Sequence, residues 1–264
     1  MGKKTAQAKF PPIMENEHVK ELLGIMEANN LSTMKDMLDI LNQVGAMEKQ
    51  LDAAVTELAA MRQELKTAQE QNHPVKTAMQ KAVIAMQGQV LDLRDKLAEL
   101  KQNVIDGCKN AVAAFKEKGI SALDNITRFF KIKPILENMR DSLGKNIRFD
   151  DKAIAKIEAV SAEYHEAGRH LKNMGRAFIG KEAVTEAKAP GKVAAVAAPF
   201  RAERSHFVSM KKSVEAAIRK MERLEEKARK PSIKQTIQTL NDQIAQAKKD
   251  APVAERPRPV AQDR

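Results

Sequence analysis

The stretch STMKDMLDILNQVGAMEKQLDAAVTELAAMRQELKTAQEQNHP, Ser32 to Pro74, decides the fold. Met37, Val44, Leu51, Leu58 and Leu65 recur every seventh residue, and Ile40, Met47, Ala54, Met61 and Ala68 recur three residues behind them. Apolar pairs at 3/4 spacing over about five heptads mark a coiled-coil seam. With Ser32 as N-cap, about 40 residues at ~1.5 Å per residue make a helix roughly 60 Å long. His73-Pro74 then turns the chain, since a proline in the first helical turn gives up no needed N–H. In the helix that Pro74 opens, Val83, Val90, Leu97 and Val104 alternate with Met79, Met86, Leu93 and Leu100. Ile84, Leu91, Ala98, Ile105 and Val112 form a second line beside them. One partner helix is too narrow to cover both lines, so this helix is expected to meet several neighbours, in a bundle or an oligomer.

Outward from that hairpin the chain reads as helical throughout. Residues 1–14 form a flexible N-terminal arm. A short helix carries Val19, Leu22, Leu23 and Met26 on one face and stops at Asn30, which completes the 15–116 hairpin region. Residues 117–179 form a further helical region: Gly119 closes the long helix, and Ser121-Ala-Leu-Asp124 opens the next. Lys133-Pro134 kinks or breaks that helix, Gly144 ends it, and Phe149-Asp150 is a staple and N-cap for another. Residues 180–199, rich in Ala, Lys, Pro and Gly, read as a linker. Residues 200–249 form a basic helical hairpin, and 250–264, with Pro252, Pro257 and Pro259, a disordered tail. The predicted fold is all-α: a long antiparallel coiled-coil hairpin with additional amphipathic helices, forming an elongated bundle with disordered termini.

Composition agrees with this. The 264 residues include 8 Phe, 1 Tyr and no Trp, whereas sheet proteins lean on aromatic and β-branched side chains. With one cysteine, Cys108, no disulfide can form within the chain. No apolar run reaches the roughly 18 residues that span a bilayer, and the N-terminus lacks the apolar core of a signal peptide. The expected location is cytoplasmic, without membrane insertion. Net charge is +11, but it is uneven: residues 15–116 sum to −3 and residues 201–264 to +7. A basic C-terminal quarter suits nucleic acid or another acidic surface.

Two stretches carry a family likeness: KGISALD (Lys118–Asp124), and DDKAIAKIEAV (Asp150–Val160) running through EYHEAGRHLKNMGR (Glu163–Arg176). Together they resemble an uncharacterised helical protein family of conjugative and mobile elements in Gram-positive gut bacteria. The likeness runs from about Met14 to about residue 245. It implies a mobile-element setting and makes residues 1–13 an upstream extension, but it supplies no catalytic or binding residues.

Candidate chemistry is sparse. His165 and His170 stand five apart, about 140° around a helix, so they are not the paired ligands of a zinc-protease helix. Glu166 and His170, four apart, make an ordinary helix-surface pair. Cys108 has no base or orienting group in sequence and reads as a small buried hydrophobe. The methionine stripe Met34, Met37, Met47, Met61, Met79 and Met86 reads as core. No phosphate loop, nucleophile elbow or paired metal ligands occur, so no enzyme, cofactor or small-molecule substrate is expected.

The best functional candidate is the C-terminal helix. Lys212, Arg219, Arg223, Lys227 and Lys230 fall within about 60–80° of one another. Glu215, Glu222 and Glu226 take the opposite flank. Either a polyanion relieves the ladder's like-charge repulsion, or the face is solvated or salt-bridged to a bundle. The leading expectation is a scaffold whose hairpin self-associates or binds another helical protein. The alternative is a nucleic-acid-binding accessory protein using the basic helix for phosphate contacts without sequence preference.

Overall fold

A computed structural model describes residues 12–67, 74–178, 182, 191–229 and 240–246. Their regular structure is all helical. A 3-10 turn, Ile13–Glu15, precedes α1 (Glu17–Ala28), α2 (Met34–Thr67) and α3 (Pro74–Lys118). Two further 3-10 turns, Ile120–Leu123 and Ile126–Phe129, lead to α4 (Lys133–Phe178) and α5 (Gly191–Arg229).

Local chemistry sets these ends. The Asn16 side chain accepts hydrogen bonds from the backbone of His18 and Val19 and caps α1. At its other end Asn30 takes φ +50°. Leu31 N–H donates to Met26 O and Asn30 N–H to Glu27 O, both at 3.0 Å. That pair of bonds is a Schellman closure, with Asn30 in the left-handed place glycine commonly fills. α2 begins at Met34, two residues beyond the expected Ser32 cap. α3 begins at Pro74, as its sequence predicts. Gly119 closes it at φ +69°.

The four long helices form a ring in which α2 touches α3 and α5, and α4 touches α3 and α5. Side-chain pairs fix their directions. Asp36 meets Lys227 while Gln50 meets Ser213, so α5 runs against α2. Lys133 meets Glu225 while Asp151 meets Arg204, so α5 also runs against α4. Lys96 donates to Ser142 of α4 while Gly107, farther along α3, lies on Phe130 just before α4 begins, so α4 runs against α3. The ring closes only with α3 opposite to α2, which gives an up-down-up-down bundle.

The seam positions of α2 from Met37 to Met61 are buried. So are Val83, Met86, Val90, Leu93, Leu97, Leu100 and Val104 of α3. Leu65 and Ala68 lie outside the residues whose side chains are described. Met37, Met47, Met61 and Met86 are core, with Met34 and Met79 packed at its edge. α1 and the 3-10 turns cover the C-terminal part of α3. There Gly107 is required, because a Cβ would stand 2.6 Å from the Phe130 ring and 2.8 Å from Phe129 O.

Four sequence expectations are corrected. The end of the expected flexible arm is not free: Ile13 is buried and begins a 3-10 turn packed on α2, because its apolar side chain joins the core. The segment after Ser121 is not an α-helix but two 3-10 turns, which still bury Leu123, Ile126, Phe130 and Ile132. Ser121 caps nothing; its hydroxyl donates back to Lys118 O. Gly144 ends no helix and Phe149-Asp150 starts none, because α4 runs unbroken from Lys133 to Phe178. Burial of Leu143, Asn146, Asp150, Ile154 and Ile157 on one side keeps it helical through the polar stretch. Lastly, residues 191–199 are not linker: α5 begins at Gly191 and carries Pro199 inside it. A proline there costs about 3 kcal/mol, offset by complete burial of Ala197 and Phe200 on either side. The basic helix is thus the fourth member of the main bundle. Residues 1–11, 230–239 and 247–264, with most of the arm, the final capping box and the tail, lie outside the described residues.

Candidate functional site

The predicted cationic face of α5 turns out to be divided. Lys212 and Arg219 are exposed. Arg223 and Lys227 converge with Lys220 on Asp36 in the first turn of α2, at 3.6, 2.7 and 3.6 Å respectively. Lys227 Nζ also donates to Ser32 O at 3.0 Å, and Lys220 pairs with Asp39. Lys230 lies outside the described residues. Asp36 is 3% exposed. Burial raises its pKa, but the Lys227 hydrogen bond and the charges of Lys227, Lys220 and Arg223 outweigh that and hold it below the usual carboxylate value. On the opposite flank Glu222 and Glu225 pair with Lys133 of α4. Both charged flanks of α5 therefore meet bundle partners.

Higher on the same helix the pattern inverts. Asp150 of α4 and Glu203 of α5 are each 0% exposed. None of their four carboxyl oxygens has a hydrogen-bond partner among the described residues. Burial, with Asp151 as a like-charged neighbour and against the pull of Arg204, pushes Asp150 up to about 7. Burial, with Asp150 and Glu57 adding negative field, pushes Glu203 up to about 8. Glu203 is therefore mostly protonated at neutral pH and Asp150 is near its midpoint there, as an isolated buried carboxylate would be very costly. Sequence inspection placed Asp150 at a helix start, where its oxygens would have found backbone N–H groups, and so missed this pair.

A second missed feature follows from the continuity of α4. Around Gly144 a cavity of about 310 Å³ is lined by Arg140, Asp141, Lys145 and Arg148 of α4 and Lys211 of α5. Broken at Gly144, the sequence puts Arg140 and Arg148 on different helices; unbroken, it puts them on one wall. Arg140 pairs with Asp141 at 3.0 Å and Lys211 with Glu215 at 3.7 Å.

The third feature is apolar. Of the second line on α3, Val112 is buried and Ala98 and Ile105 are half-buried, but Ile84 is 69% and Leu91 46% exposed. The neighbours expected from two adjacent lines are present only at the C-terminal part of the helix.

The remaining candidates are quieter. The Cys108 thiol is buried, and burial pushes its pKa up to about 12, far from a reactive thiolate. His170 is exposed and lies 3.3 Å from Glu166, which Arg169 and His170 together hold below its usual value. The side chain of His165 lies outside those described. Among the described residues no three His, Cys, Asp or Glu side chains are grouped to hold a metal, and no helix is long and apolar enough to cross a membrane.

A family model described as a family of unknown function (DUF6674) matches residues 15–259. The chain belongs to that family, in keeping with its resemblance to an uncharacterised group. No curated protein and no solved structure matches it.

Proposed function

We propose that this member of the DUF6674 family is a non-enzymatic cytoplasmic scaffold of a mobile element that pairs with a second copy of itself along α3. The observation that carries this is the bare apolar pair Ile84 and Leu91, one heptad apart on a helix whose other seam is already buried. Each large aliphatic side chain gains about 1.5–3 kcal/mol when taken fully out of water, and a two-fold pairing buries four of them. Exposed Gly88 lies between the two and lets a second backbone approach closely. Exposed Lys81 and Asp95 flank the pair at nearly equal distance from its midpoint. An antiparallel α3–α3 contact therefore sets Lys81 of each copy against Asp95 of the other, the self-complementary arrangement of a two-fold interface.

Sedimentation velocity on the full chain at tens of micromolar tests this. The expected result is a dimer, converted to monomer by Ile84→Glu with Leu91→Glu while helicity is kept. A monomeric parent protein overturns self-association. If the same two substitutions abolish capture of another helical protein, the face belongs to that partner instead. Phosphate binding through Lys212, Arg219, Arg223 and Lys227 is a weaker reading, because Arg223 and Lys227 already serve Asp36.

A further inference from the structure

We infer that the outer face of α4, from the Gly144 cavity to Lys156, binds the phosphate backbone of double-stranded nucleic acid. At 100° per residue, Lys145, Arg148, Lys152 and Lys156 lie within about 80° of one another on the unbroken helix. All four are exposed. None has an ion pair or hydrogen bond among the described residues. Arg148, Lys152 and Lys156 form an i, i+4 ladder of like charge, each step mildly unfavourable for the helix by itself. Of the carboxylates on this side of α4, Asp151 is held by Arg204 at 2.5 Å and Asp141 by Arg140 at 3.0 Å. At its lower end the strip opens into the cavity of about 310 Å³, where Arg140 is paired with Asp141 and Lys211 with Glu215, so the unpaired charge of this face begins at Lys145.

The contrast with α5 gives the strip its meaning. There the same kind of ladder, Lys220, Arg223 and Lys227, is neutralised by Asp36 and Asp39. On α4 no carboxylate among the described residues pairs with the row, and under this inference a polyanion from outside supplies that counter-charge. The strip from Lys145 to Lys156 is about 16 Å long at ~1.5 Å per residue, more than one small phosphorylated molecule occupies. A duplex carries one charge per ~1.7 Å of axis and matches such a straight row. The exposed positions of the row include no aromatic ring on which an unstacked base could lie, so the contact is to phosphates and carries no sequence preference.

The test is fluorescence anisotropy of a labelled 20-base-pair duplex titrated with the full-length protein at salt concentrations from about 50 mM upward. With about four phosphates neutralised, the log–log salt slope is expected near −3 to −4. Arg148→Gln, Lys152→Gln and Lys156→Gln together are expected to flatten that slope by two to three units. These side chains are exposed and glutamine is a good helix former, so unchanged circular dichroism shows the fold intact. Lys212→Gln with Arg219→Gln, the two α5 cations of that face with no ion pair among the described residues, leaves the slope unchanged. The inference is overturned if the parent protein fails to bind at about 50 mM salt, or if the α5 variant and not the α4 variant loses binding. It is equally overturned if inorganic triphosphate at micromolar concentration displaces the duplex, which marks a small-anion site.

Discussion

Asp36 on α2 and Asp150 on α4 are both buried against α5, and the same helix treats them in opposite ways. Near its C-terminus α5 brings Lys220, Arg223 and Lys227 to Asp36; farther up it brings Glu203 to Asp150, and Arg204 goes to Asp151 instead. Burial raises the pKa in both places, and only the cations reverse it. The two sites show that burial alone does not set the charge state of a bundle carboxyl; the residue one or two turns along the neighbouring helix does.

The largest effect that can break this contrast lies at the upper site. A carboxyl whose folded pKa is raised binds more protons folded than unfolded, so stability falls as pH rises from about 4 towards 8. The shifts at Asp150, to about 7, and Glu203, to about 8, place the loss there. Asp150→Asn with Glu203→Gln is expected to flatten that slope and to stabilise the protein at pH 8 by about 3 kcal/mol. Urea unfolding at pH 5.5 and pH 8 measures it. Equal stability of the parent protein at both pH values removes the difference between the sites.

Asp36 has the opposite sign: its contribution is present above the usual carboxylate value and lost as pH falls below it. Asp36→Asn leaves three cations without their shared carboxylate. Because those cations are partly exposed, a loss of about 2 kcal/mol at pH 7 is expected, below the full cost of an unpaired buried charge. A neutral result in urea unfolding would show that solvent replaces Asp36 without penalty. The smallest change sharpens the comparison further. Lys227→Gln removes the nearest of the three partners, and about 0.5–1 kcal/mol is expected at low salt, shrinking as salt is added. Loss as large as that of Asp36→Asn would make Lys227 the only partner of consequence.

Much of the fold was legible because heptads leave a strong mark. Every described α2 seam position from Met37 to Met61 is buried, and Asn30, Pro74 and Gly119 bound helices where their chemistry predicts. The failures share one cause. Gly144, Phe149-Asp150 and Pro199 are local stop or start signals that tertiary burial overrides, and single-residue signals carry no information about a neighbour. The same limit hid the charged sites. Asp36 sits just before the first seam position of α2 with nothing in sequence to connect it to Lys227, and Arg140 and Arg148 share a wall only once α4 is continuous.

The ring of helices closes on its last member, and this has a consequence in time. The Asp36–Lys227 pair joins residues 191 positions apart, so α2 leaves the ribosome long before α5 exists. At ~5–20 residues per second, the gap is about 10–40 s. During it α2 and α4 each have a seam that nothing in the nascent chain covers, which is the interval in which such chains aggregate or exchange elements with a neighbour. The fourth helix of the ring, α5, is therefore a completion signal: until it arrives, a chain that has made three-quarters of its bundle is still sticky on two sides.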